Sequence, residues 1–263
     1  MDVLLFLLML SLGLIGSFFS GLLGIGGAII NYPLLLFMPD WLHVAHFSAQ
    51  EVSSISMFQV FFASLSGVLA FRKKNGKDSP LIHKGLVKDM GFSILLGSLL
   101  GGFISKYLTG ESINLVYGIL AVVAVVLMLI KNKGKEENVQ DVTYHRGIAI
   151  PSAFVVGIVS GIVGAGGAFV LIPIMLTVLK IPTRVTIASS LAIVFISAIG
   201  GVLGKLTTGH IPLWPVLFTV IGSVIGAPLG SRVSAKMNVN VLRYGLLILI
   251  CATAIKIWSD IIL

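Results

Sequence analysis

Three observations identify this chain as an all-α polytopic membrane protein made of two inverted-topology repeats, each with a Gly-broken helix pair plus three transmembrane helices. The first is composition: 57% of the 263 residues are hydrophobic and 11% are charged, too apolar for a water-soluble fold of this size to hide in its core. The second is the spacing of charge. Uncharged runs recur at 3–39, 52–71, 91–105, 112–130, 147–179, 185–204 and 206–231, and at about 1.5 Å per helical residue most of them cover a bilayer core of roughly 30 Å. The third is a glycine cluster written twice, Gly21-Leu-Leu-Gly24-Ile-Gly26-Gly27-Ala28 with Pro33 beyond, and Gly161-Ile-Val-Gly164-Ala-Gly166-Gly167-Ala168 with Pro173 beyond. Transmembrane strands would need a polar alternation that these runs lack.

In chain order, each cluster lies inside a run longer than one membrane helix and so breaks a helix within the bilayer. The first run reads as a membrane segment and not a signal peptide, because Asp2 stands where a basic region belongs and no Ala-x-Ala site follows. The first half then contains a broken pair at 3–20 and 28–38, followed by spans near 50–71, 87–107 and 112–131. The second half contains a broken pair at 148–163 and 168–180, followed by spans near 184–205, 212–232 and 238–260. A pair that crosses twice and a pair that is re-entrant give the same parity, so both remain open. The halves also match beyond the glycines: Ser56 to Leu69 aligns with Ser190 to Leu203, Gly97-Ser-Leu-Leu-Gly101 with Gly222-Ser-Val-Ile-Gly226, and Tyr117-Gly118 with Tyr244-Gly245. The expected organisation is a first repeat at 1–131, a cytoplasmic linker at 132–146 and a second repeat at 147–263.

Lys and Arg are retained on the cytoplasmic side. Fifteen of the 18 fall in the loop after Phe71, the central linker, the segment around Lys180 and Arg184, and the segment from Arg232 to Arg243. The intervening regions, with Lys106, Lys205 and Lys256, should face outward. Equivalent loops of the two halves then fall on opposite sides, which makes the halves inverted copies of the kind that rock around a shared midplane site in secondary transporters.

At the clusters the backbone can take positive φ, and the helix resuming at Ala28 or Ala168 exposes unpaired N–H groups and the positive end of its dipole. A small oxyanion suits such a site. The candidate substrate-binding residues are Gly24, Gly26, Gly27, Gly164, Gly166 and Gly167, with Asn31, Ser56, Gln59 and Ser190 as side-chain donors. Against this stands the bland account that the glycines only let helices cross closely and that the serines bond their own helix carbonyls. All ten acidic residues fall at segment ends or in loops, so proton coupling through a central carboxylate is disfavoured. No cofactor and no metal are assigned: His43 and His46 lack a third ligand nearby, and Cys251 is the single cysteine. The basic residues sit in short loops between apolar runs, which argues against a nucleic-acid partner. No nucleophile with a base is evident, and the chain does not read as an enzyme.

The segments GLLGIGGAIINYPLLL, GIVGAGGAFVLIPIML, ASSLAIVF and GSVIGAPLGSRV resemble the TauE/SafE sulfite exporter family, also called the toluene sulfonate uptake permease family. The resemblance covers nearly the whole chain. It implies a multi-pass protein of the bacterial cytoplasmic (inner) membrane that carries sulfur-containing anions such as sulfite, sulfoacetate and other sulfonates. The expectation is a secondary transporter working by alternating access, in the export direction, with a passive anion channel of the same architecture as the alternative. Its partners are the anionic substrate and the lipid bilayer, and a homodimer is compatible with this architecture.

Overall fold

The computed structural model describes residues 3–23, 28–75, 82–129, 144–234 and 236–238, with isolated positions between 241 and 259. All regular structure among them is helical: α1 (Val3–Leu23), α2 (Ala28–Trp41), α3 (Ala49–Asn75), α4 (Lys84–Ile104), a 3-10 turn (Ser105–Tyr107), α5 (Gly110–Leu129), α6 (Arg146–Val163), α7 (Ala168–Pro173) prolonged by a π turn (Ile174–Val178), α8 (Thr183–Lys205) and α9 (Leu213–Ser234). Seven of these helices are long and apolar enough to cross a membrane. The second duplicated cluster separates α6 from α7, while residues 24–27 of the first lie outside the described residues. With 14 residues, α2 covers about 21 Å, and α7 with its π turn is shorter still, so neither crosses alone.

Helix partners are chosen by glycine. A β-carbon added to Gly13 or Gly21 would overlap the backbone of Thr219 or Ala227, and one added to Gly222, Gly226 or Gly230 would overlap the carbonyl of Leu10, Leu14 or Phe18. The paired numbers rise together, so α1 and α9 run parallel, backbone against backbone. In the same way Gly97, Gly101, Gly157 and Gly161 bring α4 against α6, and Gly200 and Gly204 bring α8 against α4. In lipid, where apolar side chains gain little by leaving the solvent, such close approach supplies the dispersion contacts that hold helices together. Replacing Gly226 with Leu is therefore expected to destabilise the α1/α9 pair by at least about 1–3 kcal/mol, the usual range for overpacking. Thermal unfolding in detergent should show a lowered midpoint; an unchanged midpoint would count against this packing.

The resulting arrangement interleaves the chain. Helix α9 packs on α1 and α3, and α4 packs on α6 and α8, while α3 and α8 cross each other. Along that crossing Met57 faces Gly201 and Gly67 faces Leu191, so α3 and α8 run antiparallel. The opposite face of α4, carrying Phe92, Leu96, Leu100 and Phe103, is exposed and suits lipid. At its Lys84 end, Asp89 accepts from Arg146 Nε (2.9 Å) and from the Tyr144 hydroxyl (2.8 Å), which sets the starts of α4 and α6 level. Burial, with the Asp89 bond adding to it, pushes the Tyr144 phenol above its ordinary value, so it remains a donor.

Candidate functional site

The second glycine turn is fully described and buried throughout. Gly164 ends α6 in the left-handed region (φ 82°), with its N–H donating to Ser160 O at 2.8 Å. Gly166 and Gly167 follow at φ 62° and 79°, and α7 starts at Ala168. Three positive φ values within four residues reverse the chain in a way that L-residues with a β-carbon adopt only at a cost. At the start of α7 the N–H groups of Val170 and Leu171 already donate to Gly167 O, at 3.2 and 2.9 Å, so any free donors of this turn lie before Val170. The α-helical part of α7 is only six residues long, so its dipole is smaller than the continuous segment expected over 168–180 would supply.

Helix α3 lines this turn. Added β-carbons would carry Gly164 into the Ser53 carbonyl and Gly166 into the Val60 side chain, with Val194 of α8 on the other side. Ser56 is one turn from both Ser53 and Val60 and so shares their face. Its hydroxyl is fully buried and has no hydrogen-bond partner. Ser53 itself donates to Ile162 O at 2.9 Å, beside the break. Upstream, Ser48 and Glu51 form a capping box: Glu51 Oε2 accepts from Ser48 N and Oγ, both at 2.9 Å. Glu51 is thus occupied in holding the start of α3.

A second polar group gathers on α1. Gly13, Gly16, Ser17 and Ser20 follow the spacing of one helix face. Asn31 of α2 lies directly over Gly16, where any β-carbon would collide with its amide. Next to it, Tyr32 is held elsewhere, stacked on Tyr117 at 4.8 Å and donating to Asn114 Oδ1 at 2.7 Å, which anchors α2 to α5. Both amide atoms of Asn31 are buried without a partner, as is Ser20 Oγ. Gln59 reaches across from α3, with Nε2 donating to Gly13 O (3.3 Å) and Ser17 Oγ (3.2 Å). Because Gly13 O only accepts, the nitrogen must be the atom that faces it. Gln59 Oε1 is left unpaired, so Gln59 offers an acceptor and not the donor its type suggested.

These groups matter because buried polar atoms are satisfied almost everywhere in folded proteins, and each orphan costs roughly 1–3 kcal/mol. Here Ser20, Asn31, Ser56 and Gln59 carry five such atoms on α1, α2 and α3. Of the other residues singled out from the sequence, Ser190 donates to Ile187 O of its own helix at 3.0 Å. Gly24, Gly26 and Gly27 lie outside the described residues. The sequence reading passed over Ser17 and Ser20. A signal existed for one of them: Ser20-Gly21 recurs as Ser160-Gly161, just before each cluster. Lys205, expected in an outward-facing loop, is instead buried.

Seven long apolar helices, one of them ending at a buried glycine turn, around a buried set of unpaired polar groups define a polytopic membrane transporter. Residues 9–257 match the Sulfite exporter TauE/SafE family, and the chain belongs to it. It is similar to the probable membrane transporter protein YunE of Bacillus subtilis, at 27% identity over 94% of this chain and 96% of that protein. It is also similar to the probable membrane transporter protein MJ0441 of Methanocaldococcus jannaschii, at 26% identity over 90% and 91% of the two chains. A probable membrane transporter protein of Xylella fastidiosa is 27% identical over 95% of each. No solved structure gives a significant match.

Proposed function

We propose that this transporter carries a small sulfur-containing anion (sulfite, sulfoacetate or another organosulfonate) across the cytoplasmic membrane by alternating access, in the direction of export. The observation that carries the reading is the set of unpaired polar atoms on Ser20, Asn31, Ser56 and Gln59, enclosed beside a glycine-broken helix. Buried orphans of this kind are costly unless a ligand completes them. The Asn31 amide and the Ser20 and Ser56 hydroxyls would donate to sulfur-bound oxygens. The backbone of Gly166 and Gly167, and that of Gly24, Gly26 and Gly27 in the first cluster, would add N–H donors, while Gly164, whose N–H is taken by Ser160 O, would shape the turn that presents them. Gln59 Oε1 would accept from a protonated oxygen, and Ser190 would complete the site by exchanging its intrahelical bond.

The inverted repeat belongs to the same reading, with units at 1–131 and 147–263 joined by a cytoplasmic linker at 132–146. Three features support it. The packing partners interchange when the halves do: α1 with α9 corresponds to α6 with α4, and α3 with α9 corresponds to α8 with α4. The equivalent helices α3 and α8 run antiparallel, as inversion requires. Gly166 touches Val60 and Val194, which occupy the same position in the two halves. Rocking of the α1, α3 and α9 group against the α4, α6 and α8 group about the α3/α8 crossing would expose the site to each side in turn.

Purified protein in liposomes, loaded with sulfite and diluted into labelled sulfite, should show flux that saturates and supports counterflow. Flux equal to that of protein-free vesicles for sulfite, sulfoacetate and taurine alike would overturn the substrate reading. Non-saturating flux without counterflow would overturn the carrier mechanism.

A further inference from the structure

Lys205 ends α8 with its side chain 1% exposed. Its Nζ donates to Ser105 Oγ at 2.8 Å and to Ile162 O at 3.0 Å, the carbonyl that also accepts from Ser53. No carboxylate pairs with it among the described residues, where the ion pairs are His46 with Asp40 and Arg146 with Asp89. Two neutral oxygens do not cancel an ammonium charge, and an enclosed cation without a counter-ion costs several kcal/mol. A lysine at a helix end ordinarily escapes this by extending toward water. Lys205 instead turns inward, against the broken end of α6.

The path from there to the glycine turn carries two buried hydroxyls among apolar side chains, Met57 lying nearest to Gly201. Val194, Ser197, Gly201 and Lys205 lie at helical spacing on one face of α8. Val194 touches Gly166, and Gly201 faces Ser98 of α4. The hydroxyls of Ser98 and Ser197 are fully buried and have no hydrogen-bond partner. Unpaired donors thus lie between a glycine turn and an uncompensated cation, all on buried surface.

We propose that Lys205 is the counter-charge of the transported anion at one end of its route, which runs from Gly166 along this face of α8 past Ser197 and Ser98. This rests on the anion reading above and adds to it a residue, a route and a sign of charge. The third N–H of the ammonium remains available to an anion oxygen while Ser105 and Ile162 hold the other two. A ligand with a single compact negative charge is favoured over a neutral or zwitterionic sulfur compound of similar size.

The test uses the full-length protein in liposomes with labelled sulfite as the probe. Lys205→Gln keeps a donor and removes the charge; the half-saturation concentration should rise about 10- to 100-fold, the loss of one charge-assisted bond. Lys205→Arg keeps the charge but not the size or shape of the group, and should recover part of the affinity lost in Lys205→Gln. Taurine, a zwitterion, should compete no worse against the Gln variant than against the parent. An unchanged half-saturation concentration in Lys205→Gln with an active parent would overturn the proposal alone. A parent that carries none of the anions would overturn both readings. If Lys205→Gln does not yield monodisperse protein, the Ser98→Ala/Ser197→Ala double variant decides. It leaves the bonds of the lysine intact and should raise half-saturation; no change there would remove the route and the proposal with it.

Discussion

Gly166→Leu should abolish anion flux in liposomes while the protein still reaches the membrane and elutes as one species. Two costs add at this position. Positive φ disfavours any residue with a β-carbon by about 1–2 kcal/mol, and the side chain would enter the space of Val60 and Val194, adding about 1–3 kcal/mol of overpacking. The strain falls on the crossing of α3 and α8, where the proposed site and the proposed hinge coincide. The helix pairs α1/α9 and α4/α6 form elsewhere and should persist. Gly209 provides the control: its φ is 77°, but nothing lies within 4 Å of an added β-carbon. Gly209→Ala should therefore bear only the conformational cost and retain flux. Normal flux in Gly166→Leu would exclude this turn from the transport site.

Asn31→Leu should separate stability from function. Asn31 is 1% exposed with both amide atoms unpaired, so a leucine of similar length removes two orphaned polar atoms from the interior. Replacing such a group by an apolar one is neutral or stabilising, by up to about 1–3 kcal/mol. The second half accepts this change already, because Leu171 occupies the corresponding position and is fully buried. Anion binding should nevertheless fall about 100-fold, since a donor built for the ligand is lost and an apolar surface replaces it. The measurement is a thermal unfolding midpoint with and without sulfite. An unchanged or raised midpoint without sulfite, together with loss of the sulfite-induced shift, is the expected pair. A lowered midpoint with the shift preserved would make Asn31 a structural residue.

Much of the helix arrangement was legible in advance because it follows from one-dimensional quantities. The expected spans at 50–71, 87–107 and 184–205 appear as Ala49–Asn75, Lys84–Ile104 and Thr183–Lys205, since each apolar run long enough to cross the bilayer closes its backbone hydrogen bonds within one helix. The break between α6 and α7 lies at its glycine cluster, because a backbone that needs positive φ leaves its mark in residue type; residues 24–27 of the other cluster lie outside the described residues. The span expected at 238–260 falls mostly outside the described residues. The site was less legible. Ser56 and Asn31 have unpaired polar atoms beside glycines, but Gln59 presents the opposite end of its amide, because the carbonyl of Gly13, on another helix, takes the nitrogen. Ser190 could not be distinguished from Ser56 by type or spacing, yet it bonds to its own helix.

Hydropathy, the distribution of charge and a repeated glycine cluster were thus enough to establish an all-helical membrane protein, the position of the break between α6 and α7 and the family. These properties depend on what each residue prefers in lipid or water, which neighbours hardly alter. Which helices touch is a different kind of fact. That α9 returns to α1 and α3, and α4 crosses to α6 and α8, depends on where glycine faces meet in three dimensions. The burial of Lys205 has the same origin. A lysine at the end of an apolar run can extend into water or fold into the interior, and only the Ser105 hydroxyl and the Ile162 carbonyl, brought in by two other helices, decided between them.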